Sequence, residues 1–416
     1  MSSSRSALAP CSTERYPSAL RPAPSAENLR DLTDNGAGRA HLWESIRWTA
    51  ITSAFRRAGV ELPRQHQGNV CSRATDSFQL NKPLQAAMSE YIGRVRPSFK
   101  DFTEPLRGQT PDDYRPNKAL LPFPLTQQCR GYPLLGELLV IASDGVRVRL
   151  WKPITWQPRF PSNHPSSSAR LNVLHKNIRK EQDLLLCLVV DAAIIKIWPE
   201  IVISPFGVVD KGDGDPQVTG RTIHDRSFPE DGSVNDCTDP ANVPKASFEH
   251  CSRIAREIVR CKQENPECQI EVMAGDVASA YRNACIHSKC VHLFGGHISE
   301  DDAIAIDLSA ALGWSGSAGI YGVLGRAVAF RHGHNTNPGH PTGFFSYQWV
   351  DDHVNVAADT GSRCADIDRS LRFTMTAVMG PAAINEEKFT PWRTRLKVLG
   401  LIFDTLAATV TIPPAK

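Results

Sequence analysis

Residues 346–356 read SYQWVDDHVNV. Two aromatics and a valine run into Asp351 and Asp352, and apolar residues resume after His353, the pattern of a strand, an acidic turn and a second strand. His353 on this pattern is a solvent-facing turn residue. Adjacent carboxylates repel each other and are costly unless a cation or solvent offsets the charge. The pair gains weight from EVMAGDVASAYRNACIH at 271–287, where Asp276 closes a short apolar strand 75 residues before Asp351. The small residues Ala278, Ser279 and Ala280 follow, so the carboxylate is expected to be exposed, a common setting for a hard-metal ligand. The plainer reading of Asp276 alone is a helix N-cap. Three carboxylates from two strand ends can clamp two Mg2+ ions about 3.5–4 Å apart, which is the machinery of nucleotidyl transfer.

Two further stretches belong with these acids. VVDKGDGDPQVTGRTIHDRSFPEDGSVND, residues 208–236, reads as a strand, a Gly/Asp-rich turn and a second strand. It places Lys211 and Arg221 near a hairpin tip, where a guanidinium fork and a point charge suit a triphosphate. ALGWSGSAGIYGVLGRAVAF, residues 311–330, has Gly313, Gly316, Gly319, Gly322 and Gly325 at every third position. Five repeats without proline are too few for collagen. A glycine-rich turn leading into a helix with a small-residue face fits better, and allows very close backbone approach.

The rest of the chain is harder to read. It has 416 residues, of which 41% are apolar and 22% charged, enough to bury a substantial core. No apolar run reaches the roughly 18 residues that span a bilayer, and no secretory signal is visible, so a cytoplasmic or nuclear location is expected. Eleven cysteines are scattered without zinc spacing and are expected to be buried thiols in a reducing compartment. Residues 1–130 carry 18 Lys and Arg against 12 Asp and Glu, a basic balance that favours a polyanionic partner. With twelve prolines in the same segment and no sustained periodicity, 1–130 reads as a largely disordered Pro/Ser-rich leader without a packed core. His41 to Leu62 has the spacing of an amphipathic helix, and the leader is expected to hold two helices at most. Residues 131–162 read as a β-hairpin turning at Ser143, Asp144 and Gly145, followed by a linker. From 163 to 412 the chain is a mixture of short strands and helices.

In order, RTIHD, DVASAY, LGWSGSA, WVDD, NEEKF and VLGLIFDT resemble the successive motifs of reverse transcriptases, most closely retrotransposon polymerases of protists and fungi. Each motif is weak alone, but six fall in the right order over residues 163–412. The resemblance implies an α+β fold, the right-hand arrangement of fingers and palm, with a small antiparallel palm sheet backed by helices. By motif position it makes Asp276, Asp351 and Asp352 the catalytic metal ligands, with the Val277 carbonyl assisting. It makes Arg221, and with less support Lys211, the triphosphate-binding residues. Tyr281 matches the steric gate that excludes a 2′-hydroxyl, Gly313 and Trp314 the loop beside nucleotide and template, and Lys388 the basic residue after the paired acids; with Arg221 and Lys211 these form the implied dNTP-binding set. Leu399 and Gly400 match the hairpin that grips the primer.

The implied cofactor is Mg2+ as two ions, with Mn2+ a substitute. The implied partners are an RNA or DNA template with its primer and dNTPs, without a membrane, and the chain can belong to a longer polyprotein carrying RNase H. Three departures stand out: Leu312 where many retroviral enzymes have glutamine, Ala318 where proline is usual, and Trp349 for tyrosine or phenylalanine. The chain stops at Lys416 directly after the primer-grip-like hairpin, so no thumb is expected within it. The competing expectations are a truncated or decayed copy that binds nucleic acid without polymerising, a nucleic-acid assembly protein without chemistry, and a metal-dependent hydrolase.

Overall fold

The computed structural model describes residues 20–63, 77–212, 214–361 and 363–413. Its first surprise is the N-terminal third. After a two-residue strand β1 (Arg21–Pro22) comes the 32-residue helix α1 (Ala26–Arg57), started by a Ser25–Asn28 capping box. Helices α2 (Lys82–Val95), α3 (Phe99–Leu106) and α4 (Pro122–Gln128) follow. Asn81 and Ser98 cap α2 and α3 by accepting the backbone N–H groups of Leu84 and Asp101. The expectation of a disordered leader is therefore wrong over its described residues. Pro83 and Pro122 stand in first helical turns, where proline sacrifices no hydrogen bond, so they start helices rather than break them. Leu84, Met88, Ile92, Phe102, Leu120 and Leu125 are buried in the same core as Ile306, Leu324 and Met375. Residues 1–19 lie outside the described part.

The expected hairpin at 131–162 is also corrected. Leu135–Asp144 forms helix α5, burying Leu138, Ile141 and Ala142, and Gly145 ends it with φ 82°. A short apolar run fits a strand and a buried helix equally well, and here the i, i+3, i+4 spacing governs. The linker leads into α6 (Pro165–Ala169) and α7 (Leu171–Asp183).

From here the strands bordering the 208–236 turn, ending at Asp276 and flanking Asp351 and Asp352 fall where the sequence suggests. β2 (Cys187–Asp191) precedes the hairpin β3 (Phe206–Val209) and β4 (Arg221–His224), whose loop carries Lys211. Helices α8 (Val234–Cys237) and α9 (Ser252–Glu264) come next, then β5 (Ile270–Asp276), β6 (Gly295–Ile298) and β7 (Ala303–Asp307). The glycine-rich stretch forms a turn and then α10 (Ser317–Gly333). The remaining elements are β8 (Asn335–Thr336), β9 (Tyr347–Trp349), β10 (Asp352–Ala358), α11 (Arg363–Met379), β11 (Arg395–Val398), β12 (Leu401–Asp404) and β13 (Thr409–Thr411).

Three three-stranded antiparallel sheets, in the orders β5-β10-β9, β2-β7-β6 and β11-β12-β13, are joined by helices. The first is the frame of the site. One face buries Val272, Ala274, Val354 and Val356 under Ile254 and Ile258 of α9, with Val398 and Phe403 closing the end. On the other, Gly275 leaves room for Leu371 of α11 and Phe389, whose atoms would lie 2.8 and 2.6 Å from any Cβ there. Among the described residues no helix is long and apolar enough to cross a membrane, and the described cysteines are free.

The small residues of α10 have a concrete reason. A Cβ on Gly319 would lie 1.8 Å from the carbonyl oxygen of Pro244, so α10 touches the backbone before α9 directly. Gly319→Ala is expected to cost on the order of 1–3 kcal/mol, as overpacking does where backbone must move. Chemical denaturation would measure it.

Candidate active site

β5 delivers Asp276 as its last residue, β10 opens with Asp352, and the register pairs the two directly. Trp349 of β9 lies opposite Asp352 on its other side. Residues directly opposite in a ladder share a face, so Asp276, Asp352 and Trp349 form one row across the sheet. Asp351 occupies the turn between β9 and β10, after Val350 with its left-handed φ of 50°. The Asp351 carbonyl accepts the Val277 N–H at 3.0 Å, which pins this turn to the end of β5. The same end is held from below, where the Asp276 carbonyl accepts the Asn385 N–H and the Ala278 N–H donates to Ala383.

The three carboxylates differ in environment. Asp276 is 2% exposed, contrary to the expectation of an exposed acid, and both its oxygens are occupied. Asn385 Nδ2 donates to one at 2.6 Å and Lys388 Nζ to the other at 2.7 Å. Lys388 also reaches Asp351 Oδ2 at 4.0 Å, so a single ammonium lies between two of the acids. Burial opposes the Lys388 charge, but the hydrogen bond and charge of Asp276, with Asp351 and Asp352, outweigh it and raise its pKa. Burial, then Asp351 and Asp276, pushes the Asp352 carboxyl up to about 6. Burial, with Asp276 adding repulsion, raises Asp351 as well. This is the signature of like charges gathered with too little counter-charge.

Such a site fits a divalent cation. The donors are hard carboxylate oxygens, and Lys388 already stands as a cation between Asp276 and Asp351. The three acids are not all within 4.8 Å of one another; among the described residues only Glu271, Asp359 and Cys364, at the far end of β5 and β10, form such a group. Burial, then Glu271 and Asp359, pushes the Cys364 thiol up to about 12, which disfavours it as a ligand.

Around the acids, Arg221 is exposed at the start of β4, and its charge acts on Asp351. Lys211 is exposed in the hairpin loop and is not brought to the acids by any described contact. Ser279, at a left-handed φ of 48°, turns the chain so that half-buried Tyr281 packs edge-on against Tyr321, ring centroids 6.0 Å apart. Burial, then Asp351, raises the Tyr281 phenol. Gly313, at φ 114°, lies against β4, where a Cβ would meet the His224 carbonyl oxygen at 2.0 Å. The side chain of Trp314, expected in the loop beside nucleotide and template, packs inward. It is 4% exposed, stands edge-on to Phe294 and donates its Nε1–H to Thr238 Oγ1. Leu399 and Gly400 form the left-handed turn between β11 and β12, at φ 54° and 77°. His353 is another correction. Pairing with Gly275, it points away from the acids, is 1% exposed, and burial pushes its pKa down to about 3.

Sequence reasoning missed Asn385, although it heads the NEEKF motif, and Tyr321, hidden in the glycine-rich stretch. It also missed a buried charge network. Asp307 lies 3.0 Å from His224 Nδ1, which accepts from Arg226, and pairs with Arg226 and with Arg282, which also binds Glu181 of α7. Burial opposes the Asp307 charge, but Arg282, then His224 and Arg226, hold it ionised. The network ties the hairpin bearing Arg221 to the segment directly after Tyr281. Only the chain's folding reveals it, since these residues lie far apart in sequence.

No family model and no curated protein matches the chain. Among solved structures it is similar to the foamy viral protease-reverse transcriptase, at 13% identity and a TM-score of 0.43 in three complexes. The complex of its dRH form with double-stranded DNA covers 74% of this chain and 46% of that one. The RNA/DNA hybrid complex covers 76% and 36%, and the other double-stranded DNA complex 76% and 56%. The chain thus spans between about a third and just over half of those proteins.

Proposed function

We propose that residues 163–412 are the fingers and palm of a retroelement polymerase that adds dNTPs to a primer 3′-hydroxyl, copying an RNA or DNA template. The observation that carries this reading is the meeting of Asp276, Asp351 and Asp352 at two adjoining strand ends, around the cationic Lys388. β5-β10-β9 is then the palm sheet, and β3–β4 with β2-β7-β6 the fingers.

Each residue has a role that its surroundings suit. The three carboxylates would hold two Mg2+ ions, with the Val277 carbonyl beside them. Bound there, the ions lower the pKa of the primer hydroxyl and neutralise charge on the departing pyrophosphate. Lys388 holds Asp276 and Asp351 in the unloaded site, and its ammonium would have to leave their oxygens for ions to bind them. Arg221, whose charge already acts on Asp351, takes the triphosphate, with Lys211 supporting it from the loop. Gly313 lets the turn before α10 lie flush against β4, shaping the floor next to the nucleotide. Leu399 and Gly400 present the hairpin that steadies the primer end.

Tyr281 would stack beneath the incoming sugar and exclude its 2′-hydroxyl. A primer-extension assay with Mg2+ and dNTPs on RNA and DNA templates tests the reading. Extension is expected with dNTPs and little with ribonucleotides. Tyr281→Ala should admit ribonucleotides while retaining much of the dNTP rate. Equal discrimination in variant and parent would leave Tyr281 as a packing residue, and no extension by the parent would remove the polymerase reading.

A further inference from the structure

Tyr321 is 0% exposed, and among the described residues its hydroxyl has no hydrogen-bond partner. Other tyrosines of this protein are satisfied. Tyr132 donates to the Val323 carbonyl, Tyr347 to the Glu249 carbonyl, and the Tyr114 hydroxyl meets Ser288. A buried hydroxyl without a partner is destabilising, and native proteins retain few of them. The place of this one is specific. Helix α10 carries Tyr321 with its ring edge-on to Tyr281 and its Cε1 3.2 Å from where a Cβ of Gly325 would stand; Gln348, whose Nε2 would lie 2.6 Å from the same Cβ, donates to the Val350 carbonyl next to Asp351. Burial first, then the charges of Asp351 and Asp276, Tyr281 and finally Asp352, raise its phenol well above the ordinary value. The hydroxyl is thus a buried donor with nothing to donate to among the described residues. In the metal-free protein, Lys388 draws on Asp276 and Asp351 from the solvent side.

We propose that Tyr321 is a positioning residue of the metal site, whose hydroxyl donates a hydrogen bond to the Asp351 carboxylate once a divalent cation takes the place of the Lys388 ammonium. The inference rests on the proposed metal site and deepens it. The bond would orient Asp351 for the ion and link the carboxylate to the aromatic pair Tyr281–Tyr321. The unpaired hydroxyl is then a cost of the empty site that loading removes.

Tyr321→Phe deletes only the hydroxyl and keeps the ring. Mn2+ titration followed by electron paramagnetic resonance reads the site without requiring catalysis, and thermal denaturation without metal reads the fold. Removing an unpaired buried hydroxyl should raise the metal-free melting temperature. Losing a hydrogen bond to a charged carboxylate should weaken Mn2+ binding by about tenfold. Opposite signs in the two measurements are the expected result. Tyr132→Phe, which breaks a satisfied bond elsewhere, should lower the melting temperature and leave Mn2+ binding unchanged. Equal Mn2+ affinity in Tyr321→Phe and the parent would overturn the inference while the metal site stands. Parent binding that is absent, or that survives Asp351→Asn, would overturn the metal site and this inference with it.

Discussion

Asp351→Asn is expected to abolish primer extension, by about a thousandfold or more, while leaving the protein folded and, without metal, slightly more stable. The loss of rate follows from removing one of the carboxylates that would hold the Mg2+ ions, whose charge stabilises the transferring phosphate. The gain in stability follows from the environment. The Asp351 side chain is 39% exposed, lies 4.0 Å from Lys388 and has a pKa raised by burial and Asp276. Its charge is therefore a net burden on the empty site. Asp276→Asn should be as inactive but less stable, because Asp276 is 2% exposed and accepts from both Asn385 and Lys388. Lys388 is half exposed, so the cost should be that of a buried group losing its hydrogen-bond partners, about 1–3 kcal/mol. Primer extension and thermal denaturation on both variants would separate these effects. Residual extension by Asp351→Asn near the parent rate would remove it from the catalytic set.

The legible part of this sequence was the part where chemistry or backbone geometry dictates residue type. Acids at the ends of apolar runs, the Gly/Asp-rich turn between β3 and β4, and the glycines before α10 place their strands, hairpin and helix near where the structure has them. The illegible part depended on partners far away in sequence. Nothing in the vicinity of Tyr321 says that its hydroxyl lacks a partner, and nothing around His353 says that it is buried opposite Gly275. Asp276 looked exposed because its neighbours are small, yet Asn385 and Lys388 reach over to cover it from more than a hundred residues away. The twelve prolines of 1–130, Pro83 and Pro122 among them, point to disorder when only counted, and the difference between breaking and starting a helix lies in one or two positions of register.

A chain beginning at residue 131 is expected to lack a cooperative unfolding transition, whereas one spanning 20–413 should show it. If the N-terminal segment were a dispensable leader, the two would behave alike. The structure instead threads it through the main core. Leu84, Met88 and Ile92 of α2, Phe99 and Phe102 of α3, Leu120, and Leu125 of α4 are each 5% exposed or less. They share a cluster with Met273 of the sheet that carries Asp276 and with Met375 of α11 behind it. Trp198 shows the interlock in detail, donating its Nε1–H to the Pro97 carbonyl and standing edge-on to Phe99 at 4.9 Å. Truncating one such aliphatic side chain to alanine costs about 2–5 kcal/mol, and whole domains are stable by only about 5–15 kcal/mol. Deleting seven at once exceeds that margin. Ile92→Ala in the longer chain should lower stability by about 2–5 kcal/mol, read by chemical denaturation, and should slow extension only through loss of folded protein. A shortened chain that melts sharply would show that residues 20–130 pack against a body able to stand without them.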